Sequence, residues 1–295
     1  MAIFKGCGAA MVTPFGKDGN IDYAVLERYI EHLIDGGVSA LVPFGTTGEP
    51  PTVSQAEYDA ALRFIIERVD GRVPVIAGAG SNSTDSAAKK AANAKKIGAD
   101  AVLVVTPYYN KCTQRGIVEH YKAVAYAAEI PVLAYNVPTR TCVNIAPETI
   151  AELSKIAGVV GIKEASGDID QFQDAAKVCA DTGFDLYCGD DSLTTIAMAL
   201  GALGTISVAA NPAPREMSKL CALCLDGKFE KARALQFKLN EFIHSLFCEV
   251  NPIPVKKAMQ LLGIDVGIPR LPLTELEPEH VELLRSTMRG VGLVK

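Results

Sequence analysis

The chain has 295 residues, 49% of them hydrophobic, and a formal net charge of -5 with acidic and basic residues mixed along its length. This length suits one large domain, since α/β barrels commonly reach ~250 residues. The sequence has neither the concentrated basic face of a nucleic-acid-binding protein nor the apolar run of about 18 residues that spans a membrane. The first residues show no charged leader before an apolar block, so we expect no signal peptide and a cytoplasmic location.

Eight short segments rich in Val, Ile, Ala and Leu recur along the chain at intervals of ~20–35 residues. Each is apolar almost throughout rather than alternating, which is typical of parallel strands covered on both faces. The segments begin near residues 8, 38, 73, 99, 130, 159, 184 and 204.

Helix signals separate these segments. Ser54 and Glu57 have the spacing of a capping box, and Pro147 suits the first turn of a helix over 147–157. Asp191 is expected to cap a helix over 192–200, which explains this residue better than a metal ligand does. Four more predicted features are a cap at Asp168 and helix ends near Gly98, Gly158 and Gly183.

Eight strand–helix units predict the α/β class and a (β/α)8 TIM barrel. An open doubly wound sheet is the alternative, although it rarely needs eight such uniform units. We expect the catalytic barrel over 1–226 and a C-terminal helical region over 227–295. Helices are predicted in that region over 229–247, 255–262 and 274–288.

The eight cysteines are scattered, so buried reduced thiols are expected rather than a disulfide framework. Cys221 and Cys224 form one CxxC, without the second pair or nearby histidines that a zinc site needs. We expect both to pack in the core on a helix, with a redox pair or a metal site as the alternatives.

Lys163 lies inside the apolar stretch 159–166, which is predicted to be the sixth strand. A lone ammonium there is costly unless it is paired or loses its proton. An uncharged lysine is an amine nucleophile that can form a Schiff base with a ketone. A solvated or salt-bridged lysine is the alternative interpretation.

In such a barrel the active site lies at the carboxyl ends of the strands. Tyr135 ends the neighbouring strand, where its phenol can move protons or simply pack. Thr46 and Thr47 lie in a Gly-flanked turn that either serves the turn itself or holds a carboxylate. Arg140 is either an exposed arginine or a residue whose planar guanidinium binds a second substrate carboxylate. All four histidines fall in predicted helices, so we expect no metal site.

Six motifs at these positions resemble those of the dihydrodipicolinate synthase family. This family belongs to the pyruvate-dependent class I aldolases, which also include N-acetylneuraminate lyase. The resemblance runs from Gly8 to the C-terminal helices, with the motifs in the family order. They are GTTGE at 45–49, TPYYN at 106–110, YNVPTRT at 135–141, GIKEASGD at 161–168, GDD at 189–191 and NPIPVK at 251–256.

The resemblance implies that Lys163 forms the imine with pyruvate. Thr47 is implied to hold the pyruvate carboxylate, with Ile206 lining the pocket and Gly189 also in the substrate site. The imine becomes an enamine that attacks L-aspartate 4-semialdehyde, and closure of the ring releases the enzyme. The implied product is 4-hydroxy-tetrahydrodipicolinate, on the route to diaminopimelate and lysine, and no metal or organic cofactor is implied.

The resemblance also implies a proton relay from Tyr135 through Thr46 to Tyr109, and a role for Arg140 in binding the carboxylate of the semialdehyde. In the family, Tyr109 would reach the site of a neighbouring subunit. A homotetramer built as a dimer of dimers is therefore expected.

One departure from the family concerns inhibition by lysine. Asn82 and Tyr108 match the lysine-inhibited members. Five positions do not match: Pro50, Pro51, Gln55, Tyr58 and Ser86. We therefore expect lysine to inhibit this protein weakly or not at all.

Two other functions remain open at this point. One is a sister aldolase that cleaves a sugar acid, such as N-acetylneuraminate or 2-keto-3-deoxygluconate; Arg140 speaks against it. The other is a non-catalytic barrel that binds an oxo acid, and the intact set of Lys163, Tyr135 and Thr46 speaks against that.

Overall fold

The computed structural model describes residues 2–295, and over that range eight parallel strands form a barrel with helices around it. Seven strand pairs are parallel ladders, and a bridge from Leu41 to Val75 joins the two end strands. The predicted TIM barrel is confirmed and the open sheet is wrong. The strands are β1 Gly6–Ala10, β2 Ala40–Val42, β3 Ile76–Gly78, β4 Ala101–Val105, β5 Val132–Asn136, β6 Val159–Glu164, β7 Asp185–Cys188 and β8 Gly204–Ser207.

The strands are apolar on both faces because the barrel has two cores. On β4, Leu103 points into a cluster inside the barrel, whereas Val102 and Val104 pack in the larger cluster beneath the helices. Inside the barrel, Tyr135 of β5 lies level with Lys163 of β6. The alternation along each strand therefore decides which residues can reach the mouth of the barrel.

Twelve helices lie within the described range. Ten of them are α1 Tyr23–Asp35, α2 Gln55–Val69, α3 Thr84–Ile97, α4 Gln114–Ala128, α5 Pro138–Thr141, α6 Pro147–Leu153, α7 Ile169–Thr182, α8 Thr194–Ala199, α9 Pro214–Leu225 and α10 Phe229–Ser245. The last two are α11 Ile253–Leu261 and α12 Pro278–Val291. Helix α10 packs on α9 and α12, and α11 also packs on α12. Within residues 2–295, no helix is long and apolar enough to cross a membrane.

Most of the predicted helix boundaries are confirmed. Ser54 and Glu57 form both bonds of the capping box, and Asp168 caps α7. Gly98 and Gly183 follow the ends of α3 and α7 in the left-handed conformation. Helix α6 ends at Leu153, earlier than predicted.

Gly158 adopts the left-handed conformation just before β6, with φ +92°, but the helix it was expected to end has already stopped. It therefore serves a turn into the strand rather than a helix end.

The predicted cap at Asp191 is wrong. Its carboxylate accepts hydrogen bonds from the backbone amides of Val208 and Ala209, at 2.9 and 2.8 Å. Helix α8 begins only at Thr194. Asp191 therefore ties the end of β7 to the segment after β8, a contact that no local pattern could indicate.

Cys221 and Cys224 are both buried on α9, as expected for core packing. All eight cysteines are free thiols in the structure.

Candidate active site

A cavity of about 200 Å³ opens at the carboxyl ends of the strands. Its wall is built from the strand ends and the loops that follow them, as expected for this fold. Six of the predicted site residues line it: Thr46, Thr47, Tyr135, Arg140, Lys163 and Gly189.

Lys163 lies on β6 with only 5% of its surface exposed. Its Nζ is 4.4 Å from the centroid of the Tyr135 ring. Within the part of the chain that the structure describes, no carboxylate oxygen lies within 4.0 Å of this nitrogen. Lys163 therefore faces the cavity without the ion pair that a buried structural lysine needs.

Position 189 has room only for glycine because Ala165 and Lys163 both lie against it. A Cβ atom there would lie 2.4 Å from Cβ of Ala165 and 2.8 Å from Cε of Lys163. Any side chain would therefore displace β6 at Ala165 or the amine chain of Lys163. Gly189 shapes the site by leaving room for it.

The turn Thr46–Gly48 brings two hydroxyls to the cavity wall. Oγ1 of Thr47 accepts a hydrogen bond from Nδ2 of Asn251 at 3.0 Å. The carbonyl of Gly48 accepts one from Oγ1 of Thr13 at 2.7 Å. The turn is thus held from both sides, which presents its groups to a small anion in a fixed arrangement.

A buried ion pair behind this turn was not found by sequence reasoning. Oε1 of Glu49 lies 2.7 Å from Nζ of Lys256, and both side chains are 1% exposed. Oε2 of Glu49 accepts a hydrogen bond from the backbone amide of Arg270 at 2.9 Å. Burial lowers the pKa of Lys256 to about 8, although Glu49 opposes the shift. The available signal was Lys256 directly after the apolar stretch 252–255.

Arg140 lies on α5 with its side chain reaching the cavity. Its Nη2 donates to the backbone carbonyl of Asn251 at 3.2 Å. Asn251 therefore connects Arg140 to Thr47 through one residue, and it is itself 5% exposed. Sequence reasoning noted its motif but did not assign it to the site.

Two predicted residues are not brought to this cavity. Ile206 is fully buried inside the barrel, in the same cluster as Tyr135. Tyr109 is 90% exposed and adopts the left-handed conformation with φ +71°. Within one chain, Tyr109 is therefore separate from the other proposed relay residues.

A second cavity of about 380 Å³ adjoins the first and shares Tyr135, Arg140 and Asn251 with it. Four of the five positions that depart from the lysine-inhibited pattern line this second cavity: Pro50, Pro51, Gln55 and Tyr58. Within residues 2–295, no group of three or more His, Cys, Asp or Glu side chains could hold a metal ion.

Residues 3–290 match the model of the Dihydrodipicolinate synthetase family. The 4-hydroxy-tetrahydrodipicolinate synthase of Caldicellulosiruptor saccharolyticus is 46% identical over 293 residues, or 99% of each chain. The enzyme of the same name from a Thermoanaerobacter species is 47% identical over 296 residues, covering 100% of this chain and 99% of that one.

Solved structures agree with these matches. Dihydrodipicolinate synthase from Thermotoga maritima has a TM-score of 0.97 at 43% identity, covering 99% of this chain and 100% of that one. A chloride-inhibited dihydrodipicolinate synthase from Acinetobacter baumannii, complexed with pyruvate, has a TM-score of 0.95 at 42% identity, covering 98% and 99%. This chain belongs to the dihydrodipicolinate synthetase family.

Proposed function

We propose that this protein condenses pyruvate with L-aspartate 4-semialdehyde to give 4-hydroxy-tetrahydrodipicolinate. The observation that carries the proposal is Lys163, a buried amine that faces a small cavity with no carboxylate paired to it. This lyase reaction belongs to the biosynthesis of diaminopimelate and lysine, and the relatives named above carry the same activity in their names.

The first half of the reaction takes place at Lys163. Thr47 and the backbone of its turn hold the pyruvate carboxylate, and Nζ attacks the keto carbon. Loss of water gives an imine, and loss of a methyl proton then gives an enamine. Tyr135 lies against Lys163 and is suited to move these protons. The neutral enamine replaces an unstable enolate, which is the benefit of the covalent step.

Arg140 positions the second substrate. Its guanidinium can take the carboxylate of the semialdehyde in a planar, charge-assisted arrangement. The enamine carbon then attacks the aldehyde, and the substrate amine closes the ring at the imine carbon. Gly189 leaves room for Lys163, and Ile206 supports the wall from inside the barrel. The proposed scheme uses no metal or organic cofactor, because Lys163 activates the keto acid covalently and no external oxidant or reductant takes part.

Tyr109 completes the relay with Thr46 only if a second copy of the chain supplies it, because this phenol is 90% exposed in the single chain. We therefore propose a dimer as the active unit, paired into a homotetramer in the cytoplasm. The barrel over 1–226 carries the proposed reacting groups, and the region 227–295 supports them through Asn251 and Lys256.

Trapping of the imine tests the proposal directly. Incubation with pyruvate and borohydride, followed by mass spectrometry of peptides, should place a pyruvate-derived adduct on Lys163. The variant Lys177→Ala, at an exposed position on α7, should be labelled like the unmodified chain. A folded protein that gives no adduct would favour the binding-only alternative.

Substrate comparison tests the second half of the proposal. Aspartate semialdehyde should be turned over with pyruvate, whereas N-acetylneuraminate and 2-keto-3-deoxygluconate should not be cleaved. Cleavage of either sugar acid at a higher rate than the condensation of aspartate semialdehyde would assign the protein to the sister aldolases. It would also remove the proposed role of Arg140.

Weak inhibition by lysine or none follows from the altered wall of the second cavity. Pro50 and Pro51 of this wall have no side-chain donors or acceptors for a zwitterionic amino acid. Outside the wall, Ser86 also lacks a carboxylate. Titration of the activity with lysine checks this proposal. An inhibition constant in the submillimolar range contradicts it.

A further inference from the structure

One carboxylate in the cavity has no role in the scheme above. Asp190 follows β7 and lines the same cavity as Lys163 and Arg140. Across residues 2–295, no side-chain donor is hydrogen-bonded or ion-paired to its carboxylate. Asp191 differs, because its carboxylate is occupied by the amides of Val208 and Ala209. The backbone amide of Gly167 also hydrogen-bonds the Asp190 carboxylate. Asp190 is nevertheless the member of the pair that a ligand can reach, because it lines the cavity.

The position of Asp190 is fixed relative to the reacting nitrogen. Strands β5, β6 and β7 lie side by side in register, with Lys163 between Tyr135 and Tyr187. Tyr135 thus flanks the amine from β5, and Asp190 lines the same cavity from the segment that follows β7. Burial raises the pKa of Asp190, and nearby Lys163 opposes this rise. The carboxylate and the amine thus line one cavity without forming an ion pair.

Ring closure in the proposed function poses a proton problem. The semialdehyde enters as an α-ammonium, which has no lone pair and cannot attack the imine carbon. It must lose a proton to do so. The Lys163 nitrogen must gain a proton before its bond to that carbon can break. A single acid–base group beside both nitrogens would serve both steps.

We propose that Asp190 binds the α-ammonium of the semialdehyde and carries its proton to Lys163 during ring closure. The carboxylate accepts one proton from the ammonium, and the freed amine forms a bond to the imine carbon. The neutral carboxyl gives its proton to the Lys163 nitrogen and then accepts one of the two protons that remain on the ring nitrogen. The bond between the carbon and Lys163 breaks as the ring C=N bond forms, and Lys163 leaves as a neutral amine. The double bond thus passes from the Lys163 nitrogen to the ring nitrogen, so no oxidant or reductant is involved.

The charges around the cavity match the head of an α-amino acid. Arg140 is the cation for the substrate carboxylate, and Asp190 is the anion for the ammonium. This inference rests on the proposed function and adds to it a reason why the acceptor is an amino aldehyde. An aldehyde without the amino group would lose the contact with Asp190 and could not close the ring.

The variant Asp190→Asn tests the proposal, with Asp181→Asn at an exposed position on α7 as the matched control. Borohydride trapping with pyruvate should still label Lys163 in both variants. Turnover of aspartate semialdehyde should fall on the order of 10²- to 10⁴-fold in Asp190→Asn only. The uncyclised condensation product should accumulate on Lys163 and be visible by mass spectrometry after reduction.

Succinic semialdehyde, which has the carboxylate and the aldehyde but no amine, separates this role from a structural one. Its affinity for the pyruvate-loaded enzyme should be the same in Asp190→Asn as in the unmodified chain. Equal losses of affinity for both aldehydes would overturn the proposal, and so would turnover within about twofold of normal. If the unmodified chain gives no pyruvate adduct at all, the proposed function fails instead.

Should Asp190→Asn not fold, as judged by thermal melting, Asp190→Glu and Asp190→Ser provide the test. The glutamate variant keeps a carboxylate and should retain more turnover than the serine variant. Equal turnover in these two variants would contradict a role in proton transfer.

Discussion

Two buried lysines in this molecule have opposite surroundings. Lys256 lies 2.7 Å from a carboxylate oxygen of Glu49, and its Nζ also donates to the carbonyl of Ile268 at 3.2 Å. Lys163 has an aromatic ring 4.4 Å away and a cavity in front of it. Their exposures are 1% and 5%, so burial does not distinguish them.

The difference between them is the presence of a permanent partner. A buried charge normally requires one, because removing an ion from water without compensation is costly. Lys256 has such a partner in Glu49, which favours the ammonium form. Lys163 lacks one, which leaves its nitrogen free for a substrate. Among buried lysines, the unpaired one is therefore the candidate for chemistry.

The largest expected effect is on activity at the unpaired lysine. Lys163→Ala should lower the turnover on the order of 10³-fold, equivalent to about 4 kcal/mol of transition-state stabilisation. Its free energy of unfolding should be unchanged or higher, because no partner is orphaned. Steady-state kinetics and urea denaturation of the same preparation check both parts. Normal turnover in this variant would contradict the Schiff base.

The paired lysine should show the reverse behaviour. Lys256→Met should lower the free energy of unfolding by about 3 kcal/mol, because the Glu49 carboxylate is left buried and uncompensated. The double variant with Glu49→Gln should recover part of this loss. Urea denaturation of the two single variants and the double variant forms the required cycle. If the losses in the free energy of unfolding of the two single variants add up in the double variant, Glu49 and Lys256 are not coupled.

A smaller effect is expected when the neighbour of Lys163 is altered. Tyr135→Phe keeps the ring beside the amine but removes the hydroxyl, so turnover should fall roughly 10²-fold. The pyruvate adduct should still form, only more slowly. Tyr126→Phe, at an exposed position on α4, is a suitable control. An unchanged rate of adduct formation would remove Tyr135 from the proton relay.

A third buried base sharpens the comparison further. His120 is 2% exposed, and burial lowers its pKa to about 4 from an ordinary 6.5. The unfolded chain therefore binds a proton more readily than the folded one between these values. Stability is full above about pH 6.5 and is lost as the pH falls toward 4. The loss between pH 7 and 4.5 should be roughly 2–3 kcal/mol.

His120→Gln should remove this part of the pH dependence. Urea denaturation at both pH values, for the variant and the unmodified chain, isolates the contribution of His120. An equal change in the free energy of unfolding between the two pH values in both proteins would contradict the role given to His120. Thus a buried base without a cavity affects stability, whereas one with a cavity is available for catalysis.

The sequence predicted the barrel and most of the cavity wall because both follow from local patterns. Lys163 and Tyr135 each stand near the end of a strand, Arg140 follows β5 closely on α5, and Ser54 caps its helix with Glu57, three residues away. Glu49 and Lys256 escaped prediction because 207 residues separate them along the chain. Asp191 was assigned to the wrong role for the same reason. Its partners come from beyond the next strand.

The contacts of Asn251 and Lys256 bear on how this chain can be engineered. A fragment that stopped at residue 226 would leave the carboxylate of Glu49 without its counter-ion and Thr47 without its amide donor. Such a fragment could keep every reacting group of the barrel and still be misassembled at its mouth. Circular permutation through an exposed loop, which retains both halves in one polypeptide, is therefore the better route for rearranging this enzyme.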